Sequence, residues 1–270
     1  MHTNYAPNPS GRAGEHARTP ARIGLYDPAE ERDACGLAAV VSLNAEPAHE
    51  IVRLALEALE NLEHRGAVGS DAGTGDGAGI LCEIPDAWLR ASVEELLPEV
   101  RLPGAGGYVT GLAFLPQNTA ERRAVRYRIA AIAAEEGLDV LGWRPVATRP
   151  EVLGEAAREA GPAIEQPILV PLGAASALES PAGLPLGPDG GDLERRAFRT
   201  RKRVERETGT YLPSLSSRTI VFKGMVTTPQ LAAFYPELRD ERFAARFAIV
   251  HSRYSTNTFP SWHLAQPLRM

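Results

Sequence analysis

The sequence predicts a mixed α+β fold, and three observations carry that prediction. Short apolar runs rich in β-branched residues, as at residues 36–43 and 80–84, alternate with segments of helical period such as residues 50–64. Glycine punctuates the changeovers, at Gly66 and repeatedly between Gly73 and Gly79. With 270 residues the chain can bury a large core, as one big domain or two modest ones.

Residues 36–43, with Val40 and Val41, read as a strand buried on both faces. Residues 50–64 read as a helix with Ile51, Leu54, Ala55, Ala58, Leu59 and Leu62 on one face, His64 and Arg65 in the last turn and Gly66 as its stop. Strands are expected at 80–84 and 108–115, with a short helix near 86–97 between them. Asn118 with Glu121 resembles a capping box that opens a helix to about residue 136. Residues 166–172 look like another strand, and 173–191, mostly Gly, Pro, Ala, Leu and Asp, like a surface loop. Residues 192–207 are strongly basic. They read as a solvated helix laced with charge pairs in which Glu207 answers Arg199 and Arg203. A nucleic-acid helix is the alternative, but the run lacks aromatic interleaving. A last strand is expected at 247–250.

A formal net charge of -5 gives no global pull toward nucleic acid or an anionic membrane. Two cysteines, Cys35 and Cys82, make no disulfide framework, and no Cys/His spacing suits a structural zinc. A reducing cytoplasm is the natural setting, and no metal site is expected. No apolar run approaches the roughly 18 residues needed to span a bilayer. Residues 1–34 are rich in Pro, Gly, Asn and Arg and lack an apolar core, which excludes a secretory signal. The excess of Arg12, Arg18 and Arg22 over Glu15 leaves an organelle transit peptide as a weak option. A disordered tail and a short propeptide ending at Ala34 compete for this leader.

Three segments carry chemistry. If the chain is cut after Ala34, Cys35 holds a thiol and a free α-amine together, a nucleophile and a base in one residue. An α-amine titrates at about 7.7–8.0, so near neutral pH a useful fraction can accept the thiol proton. The alternative is an inert buried cysteine. The second segment runs from His64-Arg65-Gly66-Ala67 to Asp76-Gly77-Ala78-Gly79, where alternate glycines admit a ligand or another backbone. A dinucleotide loop is excluded by context, because a helix precedes the glycines and a strand follows. Both a plain hairpin and a pocket lining remain open. In the third segment, His251 to Thr258, Arg253 offers a fork of donors suited to a carboxylate, with Ser and Thr hydroxyls beside it. Taken alone, Arg253 also suits a structural ion pair and His251 a satisfied structural histidine.

In order, Asp33-Ala34-Cys35-Gly36, His64-Arg65-Gly66-Ala67, Thr74-Gly75-Asp76-Gly77-Ala78-Gly79, Tyr211-Leu212-Pro213-Ser214-Leu215-Ser216, Val221-Phe222-Lys223-Gly224-Met225 and His251-Ser252-Arg253-Tyr254-Ser255-Thr256-Asn257-Thr258 form a set. That set resembles the class II glutamine amidotransferase domain that opens the large subunit of the glutamate synthase family. The resemblance runs from about Arg22 to Met270. It implies a four-layer αββα fold of the N-terminal-nucleophile hydrolase type, incomplete at its C-terminal end, with residues 1–34 as leader and 35–270 as the domain. It also implies that Cys35 is the nucleophile, that Arg253 and Thr256 bind the glutamine carboxylate, and that Arg65, Gly36, Asp76 and Gly77 support the pocket.

The family's oxyanion-hole Asn-Gly pair and the acidic residue for the substrate amine are expected beyond Met270. The chain therefore reads as an N-terminal fragment, feebly active by itself or an inactive binding remnant. The parent is expected to carry FMN and an iron-sulphur cluster outside this segment, and to work with the rest of the large subunit and a small electron-donating subunit or ferredoxin.

Overall fold

The computed structural model describes residues 34–67, 71, 73–174, 190–255 and 258–267. The leader, most of the expected loop and Thr256 lie outside the described residues. The described residues build two four-stranded antiparallel sheets. The first contains β1 (Gly36–Val41), β2 (Ala78–Glu83), β7 (Thr219–Gly224) and β8 (Phe247–Ser252) in the order β1-β8-β2-β7. In the second, β6 (Ala163–Pro171) pairs with β3 (Val109–Thr110), β4 (Ala113–Leu115) and β5 (Leu138–Pro145).

The expected strand at 108–115 is two strands, and Gly111 shows why. A Cβ there would stand 1.9 Å from the Ser214 carbonyl, so the backbone of 211–216 comes in against it. Bridges Thr110 to Ser216 and Phe114 to Tyr211 straddle the break. β5 went unpredicted because Asp139 and Gly142 interrupt its alternation, with a register shift between Val140 and Gly142.

Helices α1 (His49–Asn61), α2 (Asp86–Leu96), α3 (Thr119–Glu135), α4 (Glu155–Glu159), α5 (Gly190–Thr208) and α6 (Leu231–Phe234) surround these sheets. Helix α1 buries Ile51, Val52, Ala55 and Leu59; Val52 is inside where Leu54 was expected, and Leu54 is exposed. The helix ends before His64 and Arg65, which sit in a separate 3-10 turn, Glu63–Arg65. Gly66 is no left-handed stop, since its φ is -99°. It is small because a Cβ would meet the Ser252 hydroxyl at 2.8 Å. At α3 the Asn118 half of the expected box is present: its side chain accepts from the N–H groups of Ala120 and Glu121.

The basic helix α5 finds its acids on α3 as well as on itself. Arg203 meets Glu135, Glu136 and Glu207, and Arg199 meets Glu136. From α3, Arg128 reaches Glu207. These arginines tie the two helices together, while Ala133 of α3 and Leu193 and Ala197 of α5 pack on the face of the second sheet formed by Val109, Leu138 and Leu169.

Alternation along the strands divides the core. Ala38, Val40, Ile80, Cys82, Phe222, Ala248 and Val250 pack with α1 in the largest cluster, which also takes Phe114, Ile164, Ile168 and Val170 from the second sheet. The opposite face of β1 is not buried as its sequence led us to expect. Leu37 is 62% and Val41 60% exposed, because no described element covers that side of this edge strand.

Candidate functional site

Gly36 opens β1 and pairs with Ser252, the last residue of β8. One step further, Cys35 and Arg253 stand at adjoining strand ends. Cys35 is exposed, and the Tyr254 N–H lies 3.4 Å from its Sγ, with the Tyr254 carbonyl 3.8 Å away.

Arg253 is 7% exposed and enclosed on two sides. Its Nη1 donates to the Asp76 carbonyl at 3.1 Å, and its Nη2 donates to the hydroxyls of Ser255 and Thr258. Its own N–H donates to the Gly77 carbonyl at 2.8 Å. Asp76 turns its carboxylate the other way, accepting from the Ser255 N–H at 2.6 Å. No carboxylate is among these contacts of the guanidinium. The glycine-rich segment therefore leads into β2 and also lines the site. Gly77 has φ +131°, and a Cβ on it would sit 2.8 Å from the Ala265 Cβ, so both conformation and space require glycine.

Gly36 and Arg65 are linked by steric contact. A Cβ on Gly36 would lie 3.0 Å from the Cβ atoms of Arg65 and Leu62, so glycine lets the start of β1 rest on that turn. Gly36→Ala is expected to displace the Cys35 end of β1 and to destabilise the fold by about 1–3 kcal/mol, as overpacking does. Urea titration reads the cost; an unchanged midpoint would show that the turn gives way freely. A cavity of about 60 Å³ opens between Glu63, Gly66, Gly77, Thr228, Ser252 and Arg253.

Other residues singled out in the sequence have different places. Asp71 and Thr74 accept from the N–H groups of Ala156 and Ala157, holding the start of α4. His251 is not the satisfied histidine expected. Its Nε2 is buried without a partner among the described residues, and burial pushes its pKa down. Cys82 is fully buried and desolvation pushes its thiol pKa up, which suits an inert core residue. Sequence reasoning missed the Tyr254 N–H because a backbone donor has no signature in residue identity. It also gave no role to Lys223, whose burial in a strand could not be read from one letter.

Among the described residues no group of three His, Cys, Asp or Glu could hold a metal, and no helix is long and apolar enough to cross a membrane. An iron-sulphur cluster is commonly held by four thiolates, and the whole chain has two cysteines, so its residues do not suit one.

Comparison with known proteins meets this geometry at the same residues. The family described as class-II glutamine amidotransferases matches residues 35–270, beginning at Cys35. The large chain of NADPH glutamate synthase from Bacillus subtilis is 41% identical over 255 residues, 93% of this chain and 16% of the relative. NADH glutamate synthase from Saccharomyces cerevisiae is 39% identical over 263 residues, 93% of this chain and 12% of the relative. The chloroplastic ferredoxin-dependent glutamate synthase of Oryza sativa subsp. japonica is 39% identical over 269 residues, 96% and 16% respectively. The chain thus spans less than a fifth of each of these relatives. A match that starts at the exposed cysteine and runs through both strand ends of the site places the chain in the class II glutamine amidotransferases, as a domain homologous to part of the glutamate synthase large chain.

Proposed function

We propose that this domain hydrolyses glutamine through Cys35. The observation that carries the proposal is the juxtaposition of an exposed thiol with the Tyr254 N–H, one residue from a buried arginine with no carboxylate partner in its described contacts. Cleavage between Ala34 and Cys35 frees the α-amine. That amine takes the thiol proton as sulfur attacks the carboxamide carbon. Collapse of the tetrahedral adduct breaks the C–N bond and expels ammonia, protonated on leaving by the ammonium of Cys35. Water, deprotonated by the same amine, then cleaves the thioester to glutamate. Arg253, with Thr256 nearby in sequence, holds the α-carboxylate, while Gly36, Arg65, Asp76 and Gly77 keep the strand ends in place.

The bare face of β1 supports the four-layer arrangement, in which another sheet lies over Leu37 and Val41. In the parent we infer, a glutamate synthase, the ammonia joins 2-oxoglutarate. FMN, an iron-sulphur cluster and the electron-donating subunit or ferredoxin belong to parts beyond these residues. Two free cysteines suit a reducing cytoplasm.

The test is glutamate and ammonia release from glutamine by the full-length polypeptide, with Arg253→Lys beside the wild type. Lysine keeps the charge but loses the planar fork. We expect the glutamine KM to rise roughly tenfold to a hundredfold, the span of about 1.5–3 kcal/mol that charged hydrogen bonds carry, while ammonia-supported synthesis is unchanged. An unchanged KM would remove Arg253 from the pocket.

A further inference from the structure

We propose that Lys223 is a positioning residue for glutamine binding, acting through a strap of chain, residues 262–266, that backs the Arg253 cradle. The inference rests on the amidotransferase reading above. Lys223 lies in β7 with 0% exposure, a rare place for lysine. Its Nζ donates to the carbonyls of Ala265 at 2.6 Å and His263 at 3.3 Å and to the Tyr211 hydroxyl at 2.7 Å. It also stands 4.7 Å from the centre of the Tyr211 ring. One buried side chain thus fastens the strap to the sheet at two carbonyls, two residues apart.

The sheet is shaped to receive that strap. A Cβ on Gly224 would meet the Trp262 ring at 2.5 Å, one on Gly79 the Gln266 carbonyl at 2.5 Å, and one on Gly77 the Ala265 Cβ at 2.8 Å. Gly77 just before β2, Gly79 on β2 and Gly224 on the neighbouring β7 therefore form a trough, and Lys223 lies within it. The trough's last member matters for chemistry. Ala265 presses on Gly77, whose carbonyl accepts from the Arg253 N–H, and the adjoining Asp76 carbonyl accepts from the guanidinium. Releasing the strap frees Gly77 to move, and the two carbonyls that aim Arg253 move with it. The thiol is coupled to this path less directly than the guanidinium, because its described contacts are to the backbone of Tyr254, the residue after Arg253.

The prediction is a selective loss: carboxylate recognition fails while thiol reactivity stays. In the full-length protein, Cys35 is labelled with a glutamine analogue bearing an electrophilic diazoketone, which needs Arg253, and in parallel with iodoacetamide, which has no carboxylate. Lys223→Met should slow labelling by low concentrations of the analogue on the order of tenfold or more, the scale of a small misplacement in a binding constellation. Iodoacetamide labelling should stay within about twofold, since it follows the thiolate alone. Tyr211→Phe keeps the ring and removes one acceptor, so a loss of roughly threefold is expected from one neutral hydrogen bond. If the methionine variant does not fold, this milder change decides. Equal losses with both reagents, or no loss with either, would overturn the positioning role. A wild type labelled no faster by the analogue than by iodoacetamide would overturn the glutamine reading itself, and this inference with it.

Discussion

Replacing Cys35 with alanine should abolish glutamine hydrolysis, a loss on the order of 10⁴-fold or more, comparable to removal of the nucleophile in other covalent hydrolases. No other thiol can substitute, since Cys82 is fully buried in the core with its thiol pKa pushed up. Cys35→Ser retains a nucleophile, but a hydroxyl is far harder to ionise, so it should retain only a trace of activity. The amine can be tested separately. A full-length polypeptide that begins at Cys35 should hydrolyse glutamine, whereas one that keeps residues 1–34 uncleaved should not, because the nitrogen of Cys35 is then an amide and cannot accept a proton. N-terminal sequencing of active protein should find Cys35 first. Active protein with Met1 intact, or more than a small percentage of activity left in Cys35→Ala, would dismiss the mechanism.

Local chemistry was legible in the sequence where it is carried by residues close together in the chain. The Asn118 cap on α3 and the helical stripe of α1 follow from spacings of three and four residues, and both appear, shifted by a residue or so. Cys35 and Arg253 were picked out by residue type and motif, and their strands turn out to be neighbours in register. What the sequence concealed depends on partners far along the chain. Gly111 splits a strand because Ser214 arrives against it, and Gly66 is small because of Ser252, not because a helix ends there. Lys223 stands out in the sequence only as part of a motif, and the Ala265 carbonyl it contacts lies 42 residues away. The bareness of β1 was misjudged for a related reason. β1 is apolar on both faces, and apolarity alone does not say whether a covering layer over Leu37 and Val41 lies within the described residues.

The largest stability effect is expected at an ion pair that no spacing rule would find. Arg144 on β5 is 1% exposed, and its guanidinium forms a two-pronged contact with Glu237 at 2.7 and 2.9 Å across 93 residues of sequence. The surroundings complete it. Arg144 Nε donates to Gln166 at 2.7 Å, Gln166 donates to Thr110, and the Ala147 N–H donates to Glu237 at 3.0 Å. The guanidinium also lies 4.8 Å from the Trp88 ring centre. Glu237 follows Tyr235, whose hydroxyl donates to the Lys223 carbonyl on β7, so the pair joins the second sheet to the first.

Glu237→Ala would strand a buried cation, and breaking one partner of such a pair costs about 3–5 kcal/mol. For a domain of this size each kcal/mol lowers Tm by about 2–4 °C, so a fall of roughly 6–20 °C is expected in calorimetry. Arg144→Met combined with Glu237→Leu removes both charges and should recover much of that loss, since replacing a whole buried pair by apolar groups is often nearly neutral. A Glu237→Ala protein within about 1 kcal/mol of wild type, the scale of an exposed pair, would show that water reaches Arg144 and that the pair does not bind the sheets together.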